Sequence, residues 1–202
     1  IGTDLVAKAP KDGYTVLYST VAHTVLRPLF PRLPFDPVAD FTPVVLVGQI
    51  PCVLAVNDSV PAKTLPEFVK LLKDNPGKFS YASSGNGGAV HLATALFLSM
   101  IGAEASHVPY RGSAAAYPDL IAGRVHFIID VGINSSRQPN LRAMAISSLE
   151  RSPLAPDLPT FDEQGVKGYE AYTWHMLFVP AGTPAPAIAQ LNGAVNKALA
   201  VP

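Results

Sequence analysis

The chain has 202 residues, of which 49% are apolar and 15% charged, and its formal net charge is zero. That length supports one large core or two small ones, the apolar content excludes a disordered chain, and the even charge balance argues against a nucleic-acid partner. The single cysteine, Cys52, excludes an internal disulfide, and no apolar run reaches the ~20 residues of a membrane-spanning helix.

Thr3 to Ala9 is compatible with a helix, and Lys11-Asp12-Gly13 with a turn. Tyr14 to Tyr18 is β-branched and aromatic and is predicted as a strand. Ser19, Thr20, Val21, Ala22 and His23 follow at its C-terminal end, where open α/β sheets bind ligands. The proline-rich section from Arg27 to Pro43 is expected on the surface. Val44 to Gly48 and Cys52 to Val56 read as two strands broken at Ile50-Pro51. Thr64-Leu65-Pro66-Glu67 carries a capping box, Phe68, Leu71 and Leu72 a helical stripe, and Asn75-Pro76-Gly77 a stop.

Phe79 to Ala82 is predicted as a strand, followed by a glycine-rich turn and a helix. In that helix Leu92, Ala93, Leu96, Phe97, Met100 and Ile101 are expected to form the buried face, and Gly102 to end it. Ser106 to Tyr110 is a short strand. Arg111-Gly112-Ser113 is a second turn, with Ser113 expected to cap a helix from Ala114 to Ala122 that Pro118 weakens. Val125 to Asp130 and Leu141 to Ser147 are strands, and the stretch between them is short for a crossover helix. Thr160 to Gly168 reads as a short helix and turn, and Trp174 to Val179 as a strand. A last helix begins at Thr183-Pro184, with Ile188, Leu191, Val195 and Leu199 on one face. Strand and helix alternate, which calls for an α/β fold with a parallel sheet covered on both faces.

The glycine-rich turn, Ser83, Ser84, Gly85, Asn86, Gly87 and Gly88, is the first candidate site. No lysine follows, so it is not a Walker loop. Val90 stands where the dinucleotide fingerprint needs its third glycine. Two readings remain open: a tight connector, or an anion site made of backbone N–H groups at a helix N-terminus. A hydrolase built from Ser84, His91 and Asp130 is the rival from another class, but no G-x-S-x-G elbow exists. His91, beside the turn, reads as a hydrogen-bonded support. The histidines make no metal-binding spacing, so neither a metal nor a cofactor is expected. Asp130 ends an apolar strand and either faces a cleft or holds a neighbouring loop. Arg111, in its turn, is a candidate partner for a carboxylate.

Taken together, IGTDLVAKAPKDGYTVLYST, RLPFDPVADFTPVVLVGQ, FSYASSGNGGAVHLATALFLSM, HVPYRGSAAAYPDLIAGRVHFIID, LRAMAISS with ERSPLAPDLPTFDEQGV, and LFVPAGTP with LNGAVNKAL span almost the whole chain. In this order they resemble the periplasmic solute receptors of tripartite tricarboxylate transporters, the Bug or TctC family. The resemblance implies a periplasmic-binding-protein fold of type II, with two α/β domains and a ligand cleft, divided as 1–52 plus 172–202 and 53–171. It implies a non-enzymatic, monomeric, periplasmic receptor. A small mono-, di- or tricarboxylate would be held by Ser83 to Gly88 and faced by Ser19 to His23. The Arg111-Gly112 turn and the Asp130 loop would line the second domain's side. The partners it implies are membrane transporter subunits or, as an alternative, a signalling kinase. The family's signal peptide, first strand, glycine-rich loop and last helical segment have no counterpart in the sequence, so the first domain is expected to be incomplete.

Overall fold

Runs of β-branched and aromatic residues pair as strands, and apolar helices cover them, in a computed structural model that describes residues 2–201. The chain divides into two units. One comprises the segments up to Gln49 and from Trp174 onward, and the other is Ile50–Thr173.

In the first unit, α1 (Gly2–Ala7) precedes β1 (Leu17–Thr20). β1 pairs antiparallel with β7 (Tyr172–Pro180), placing Leu17 opposite Phe178 and Thr20 opposite His175. The strand starts later than its composition predicts, and Tyr14 lies outside it with 93% of its surface exposed. A 3-10 turn, Val21–Val25, and the single turn α2 (Leu26–Leu29) follow. The first part of β2 (Phe41–Asn57) lies on the other side of β7. The final helix, α6 (Ala185–Leu199), sets Ile188, Leu191 and Val195 against Val44, Val45 and Val179. Leu199, expected on the same face, is exposed.

β2 runs unbroken through Pro51, where two strands were expected. Proline lacks an N–H, which normally bars it from a central strand. Here the ladder with the neighbouring strand opens only at Cys52, and Pro51 needs its carbonyl alone, which accepts from the Gly132 N–H. The proline therefore sits where β2 passes from one unit to the next.

In the second unit the strand order is β6 (Leu141–Ile146), β2, β5 (Phe127–Val131), β3 (Ser80–Ser83), β4 (Ser106–Pro109). β3 is parallel to β4 and β5, whereas β2 is antiparallel to β5 and β6. The sheet is mixed, not wholly parallel as the alternation predicts. Strand–helix alternation from Phe79 onward builds the parallel part, and β2 enters against it. β5 and β6 flank β2, joined by a connection whose only helical content is the 3-10 turn Ser135–Arg137.

α3 (Leu65–Asp74) starts as its capping box requires, with the Thr64 hydroxyl accepting from the Glu67 N–H. The Glu67 carboxylate reaches back to the Lys63 N–H. Such caps contribute about 1 kcal/mol. α4 (Ala89–Ile101) ends at Gly102 in the left-handed region, as expected, but its buried face is rotated. Val90, Ala93, Thr94, Phe97, Leu98 and Ile101 are buried, while Leu96 and Met100 are exposed. The helix is apolar on nearly every side, so spacing alone leaves its inner face undetermined. Pro118 stands in the first turn of α5 (Tyr117–Ile121), where its missing N–H costs nothing, so it starts that helix rather than kinking it. Thr160 to Gly168 forms turns without a helix.

The core of this unit is closed to solvent. Phe68, Phe97, Phe127, Phe161 and Tyr169 lie together on one face of the sheet's residues with no exposed surface. A second cluster joins Ala55, Ala82, Val90, Leu120 and Ile128.

Candidate functional site: the glycine turn before α4

The turn from Ser83 to Gly88 joins β3 to α4. Gly85 has φ of 127° and Gly87 has φ of 73°, conformations that residues with a Cβ rarely adopt. Gly88, at φ of −74°, is the N-cap, and a Cβ there would lie 3.2 Å from the Ser84 hydroxyl. No side chain caps the helix. The backbone N–H groups of Asn86, Ala89, Val90 and His91 have no hydrogen-bond partner among the described residues. These are the donors that an α-helix leaves over at its start, at the positive end of its dipole.

The remaining polar groups of the turn are spent on its own structure. Gly85 N–H donates to the Ser83 hydroxyl at 3.2 Å, Gly87 N–H to His91 Nδ1 at 3.0 Å, and Gly88 N–H to the Gly85 carbonyl at 3.4 Å. Ser83 is fully buried, and its hydroxyl lies 2.6 Å from His107 Nε2. The donors left for a ligand are therefore not the whole Ser83–Gly88 set. They are Asn86, the first turn of α4 and the Ser84 hydroxyl.

The second turn lies directly alongside. Tyr110 N–H donates to the Ser83 carbonyl at 3.0 Å and Gly112 N–H to the Ser84 carbonyl at 3.3 Å. Arg111 between them is exposed and forms no ion pair among the described residues, so its guanidinium is available to an anion. Ser113 does not cap a helix as expected. Its hydroxyl donates to Asp130 at 2.6 Å, the Tyr117 hydroxyl donates to the other carboxylate oxygen at 2.5 Å, and the Val131 N–H adds a third bond. Asp130 is 3% exposed. Of its two expected roles the geometry selects the second: it anchors the Arg111–Ser113 turn from behind and presents no free oxygen. Burial and the Asp130 carboxylate together push the Tyr117 phenol well above its ordinary value.

The proposed hydrolase constellation is not assembled. Ser84 has no hydrogen bond to His91 among the described residues, and the Asp130 oxygens are held elsewhere. Two other serine–histidine pairs exist: Ser83 with His107, fully buried at the serine, and Ser80 with His126 at 3.0 Å, whose histidine nitrogen also accepts the Ser80 N–H.

Ser19 and Thr20 end β1 in the other unit, and Val21, Ala22 and His23 open the 3-10 turn. His23, expected to face a ligand, lies in the 3-10 turn with its ring packed against strand residues. It is 6% exposed, donates its Nε2–H to the Pro37 carbonyl at 2.7 Å, and stacks on Phe178 at 4.8 Å. A histidine among aromatic strand residues packs as a ring, and its position after a strand carries no signal that would reveal this.

Sequence reasoning also missed the ring stack behind the turn. His91 and His107 are parallel to within 5° with centroids 4.1 Å apart, and Tyr81 lies 4.8 Å from His107. Burial and the neighbouring His91 hold the His107 imidazole below its ordinary value. Residues on a helix and on an edge strand carry no common spacing, so only the fold brings them together.

A family model described as tripartite tricarboxylate transporter family receptor matches residues 1–202. A Pseudomonas sp. (strain P51) protein described as "UPF0065 protein in tcbD-tcbE intergenic region" is 44% identical across 100% of this chain and 61% of its own length. A solved structure described as "R. palustris Rpa4515 with adipate" superposes with a TM-score of 0.83 at 36% identity, over 96% of this chain and 66% of that one. "MatC (Rpa3494) from Rhodopseudomonas palustris with bound malate" gives a TM-score of 0.83 at 32% identity, over 98% of this chain and 69% of that one. The chain thus spans about three fifths of the length of the curated relatives it matches. With the sequence matched from end to end, and an α/β architecture shared with these binding proteins, the chain belongs to the tripartite tricarboxylate transporter receptor family.

Proposed function

We propose that the chain is the greater part of a non-enzymatic solute receptor that captures a small organic carboxylate at the glycine turn. It would hand the solute to membrane subunits of a tripartite tricarboxylate-type transporter and work in the periplasm. One observation carries the reading: the uncapped start of α4, with four N–H groups and the neighbouring Arg111 guanidinium all without a partner among the described residues. A carboxylate has two oxygens that accept several N–H bonds, and both helix dipole and guanidinium favour its charge. Nothing in this arrangement activates a nucleophile, so the carboxylate is bound and released unchanged. The adipate and malate in the two related structures are carboxylates of differing length, and they support this ligand class for the present chain. Ser19 to His23 enter the proposal through their backbone and the Ser19 and Thr20 side chains, since the His23 ring is committed to packing.

The test is titration calorimetry of the full-length protein with mono-, di- and tricarboxylates, adipate and malate among them, and with the corresponding neutral amides. Saturable binding of at least one acid, and none of its amide, is expected. Failure of every acid to bind overturns the reading.

A further inference from the structure

The glycine turn does not hold its own shape. Its two unusual conformations, at Gly85 and Gly87, are each secured by an imidazole. His91 Nδ1 accepts the buried Gly87 N–H directly at 3.0 Å. His107 acts through one hydroxyl: its Nε2 lies 2.6 Å from Ser83 Oγ, which in turn accepts the Gly85 N–H at 3.2 Å. The two rings belong to different elements, α4 and β4, and are locked together by their parallel stack at 4.1 Å. Tyr81, from β3, stacks on His107 at 4.8 Å and closes the group. Helix, two strands and turn thus meet in one ring cluster.

The hydrogen-bond chemistry fixes more. A nitrogen that accepts an N–H must carry a lone pair, so His91 holds its proton on Nε2 and none on Nδ1. Ser83 Oγ faces both His107 Nε2 and the Gly85 carbonyl, and its one proton goes to whichever of them accepts. The Gly85 and Gly87 amides are thereby satisfied, and the amides of Asn86, Ala89, Val90 and His91 are left over.

We propose that His91 and His107 are positioning residues for anion capture, holding the Gly87 and Gly85 peptides so that the remaining amides form a preformed donor set. The proposal rests on the carboxylate reading above for its purpose, though not for its geometry. A turn fixed in advance loses little freedom when an anion arrives, whereas a loose one must be ordered at that moment and binds more weakly.

Two substitutions separate the ring from its acceptor atom. His91→Phe keeps a flat ring for the stack and removes Nδ1. His91→Asn gives up the stack but puts its side-chain oxygen near the place of Nδ1. In the full-length protein, His91→Phe is expected to weaken adipate binding about five- to tenfold, the worth of one such hydrogen bond, and to speed hydrogen exchange at the Gly87 amide. His91→Asn is expected to recover most of both. Unchanged affinity and unchanged Gly87 exchange in His91→Phe overturn the proposal, as does a His91→Asn protein no better than His91→Phe. Should wild type bind neither adipate nor any other acid, the carboxylate reading fails, and Gly87 exchange alone still decides the positioning. A measurement on the unaltered protein needs no folded variant: nitrogen NMR of the His91 ring must show the Nε2–H tautomer, and an Nδ1–H tautomer contradicts the geometry.

Discussion

The two units bury their apolar residues to different degrees. In Ile50–Thr173 the strand residues Cys52 to Val56 and the rings of Phe68, Phe97, Phe127 and Tyr169 are at or within 0% exposure. In the other unit Val6, Leu17, Phe41 and Phe178 keep 6–9% of their surface, and α6 contributes no buried residue among those described. A cavity of about 790 Å³ opens there, lined by His23, Phe41, Pro43, Trp174, Met176 and Phe178. The glycine turn and its supports all belong to the unit with the closed core. A preformed donor set needs closely packed neighbours, and the glycine turn has them within Ile50–Thr173.

The largest effect that sharpens this contrast is a pair of truncations. Phe97→Ala leaves a hole in a closed core and is expected to cost about 3–5 kcal/mol in urea unfolding. Phe178→Ala borders an existing cavity and is expected to cost clearly less, about half. Equal costs would break the comparison.

Next comes Asp130. Asp130→Ala strands the Ser113 and Tyr117 hydroxyls inside the unit and removes the anchor of the Arg111 turn, for a loss of about 2–3 kcal/mol. Affinity for the proposed carboxylate should fall as well, because the turn beside Ser84 loosens. Loss of affinity without loss of stability would instead mean that Asp130 meets the ligand.

Gly88→Ala is expected to change stability by less than about 1 kcal/mol, since its φ of −74° suits any residue. Its Cβ crowds the Ser84 hydroxyl at the mouth of the donor set, so affinity should drop more than stability. Gly87→Val differs: at a φ of 73° a β-branched residue is strained, and folding suffers together with binding.

The smallest effect is a pH dependence carried by His107 and His126. Burial lowers the imidazoles of His107 and His126 from their ordinary value of 6.5. In the window just below that value the unfolded chain binds more protons than the folded one, so stability rises with pH there and is lost on acidification. Urea midpoints should fall as pH drops from about 7 to about 5, and His107→Gln should flatten part of the slope.

Much of this architecture was legible because its signals are local. The Thr64 capping box, the Gly102 stop and the strand–turn–helix around Gly85 each depend on residues adjacent in sequence. The features that were not legible depend on tertiary partners. Pro51 reads as a break until the ladder is seen to begin one residue later. Asp130 reads equally as ligand contact or anchor until Ser113 and Tyr117 are found upon it. His23 and the His91–His107 stack are settled by rings from distant elements, and the inner face of α4 by which sheet it meets.

The claim at the centre of this account is that the leftover amides at the start of α4 hold the carboxylate. It is tested most directly by following the backbone amide resonances of the full-length protein during an adipate titration. The N–H signals of Asn86, Ala89 and Val90 should move together, saturate at the calorimetric affinity and stay still with adipamide. Saturation of binding with those three amides unmoved would contradict it.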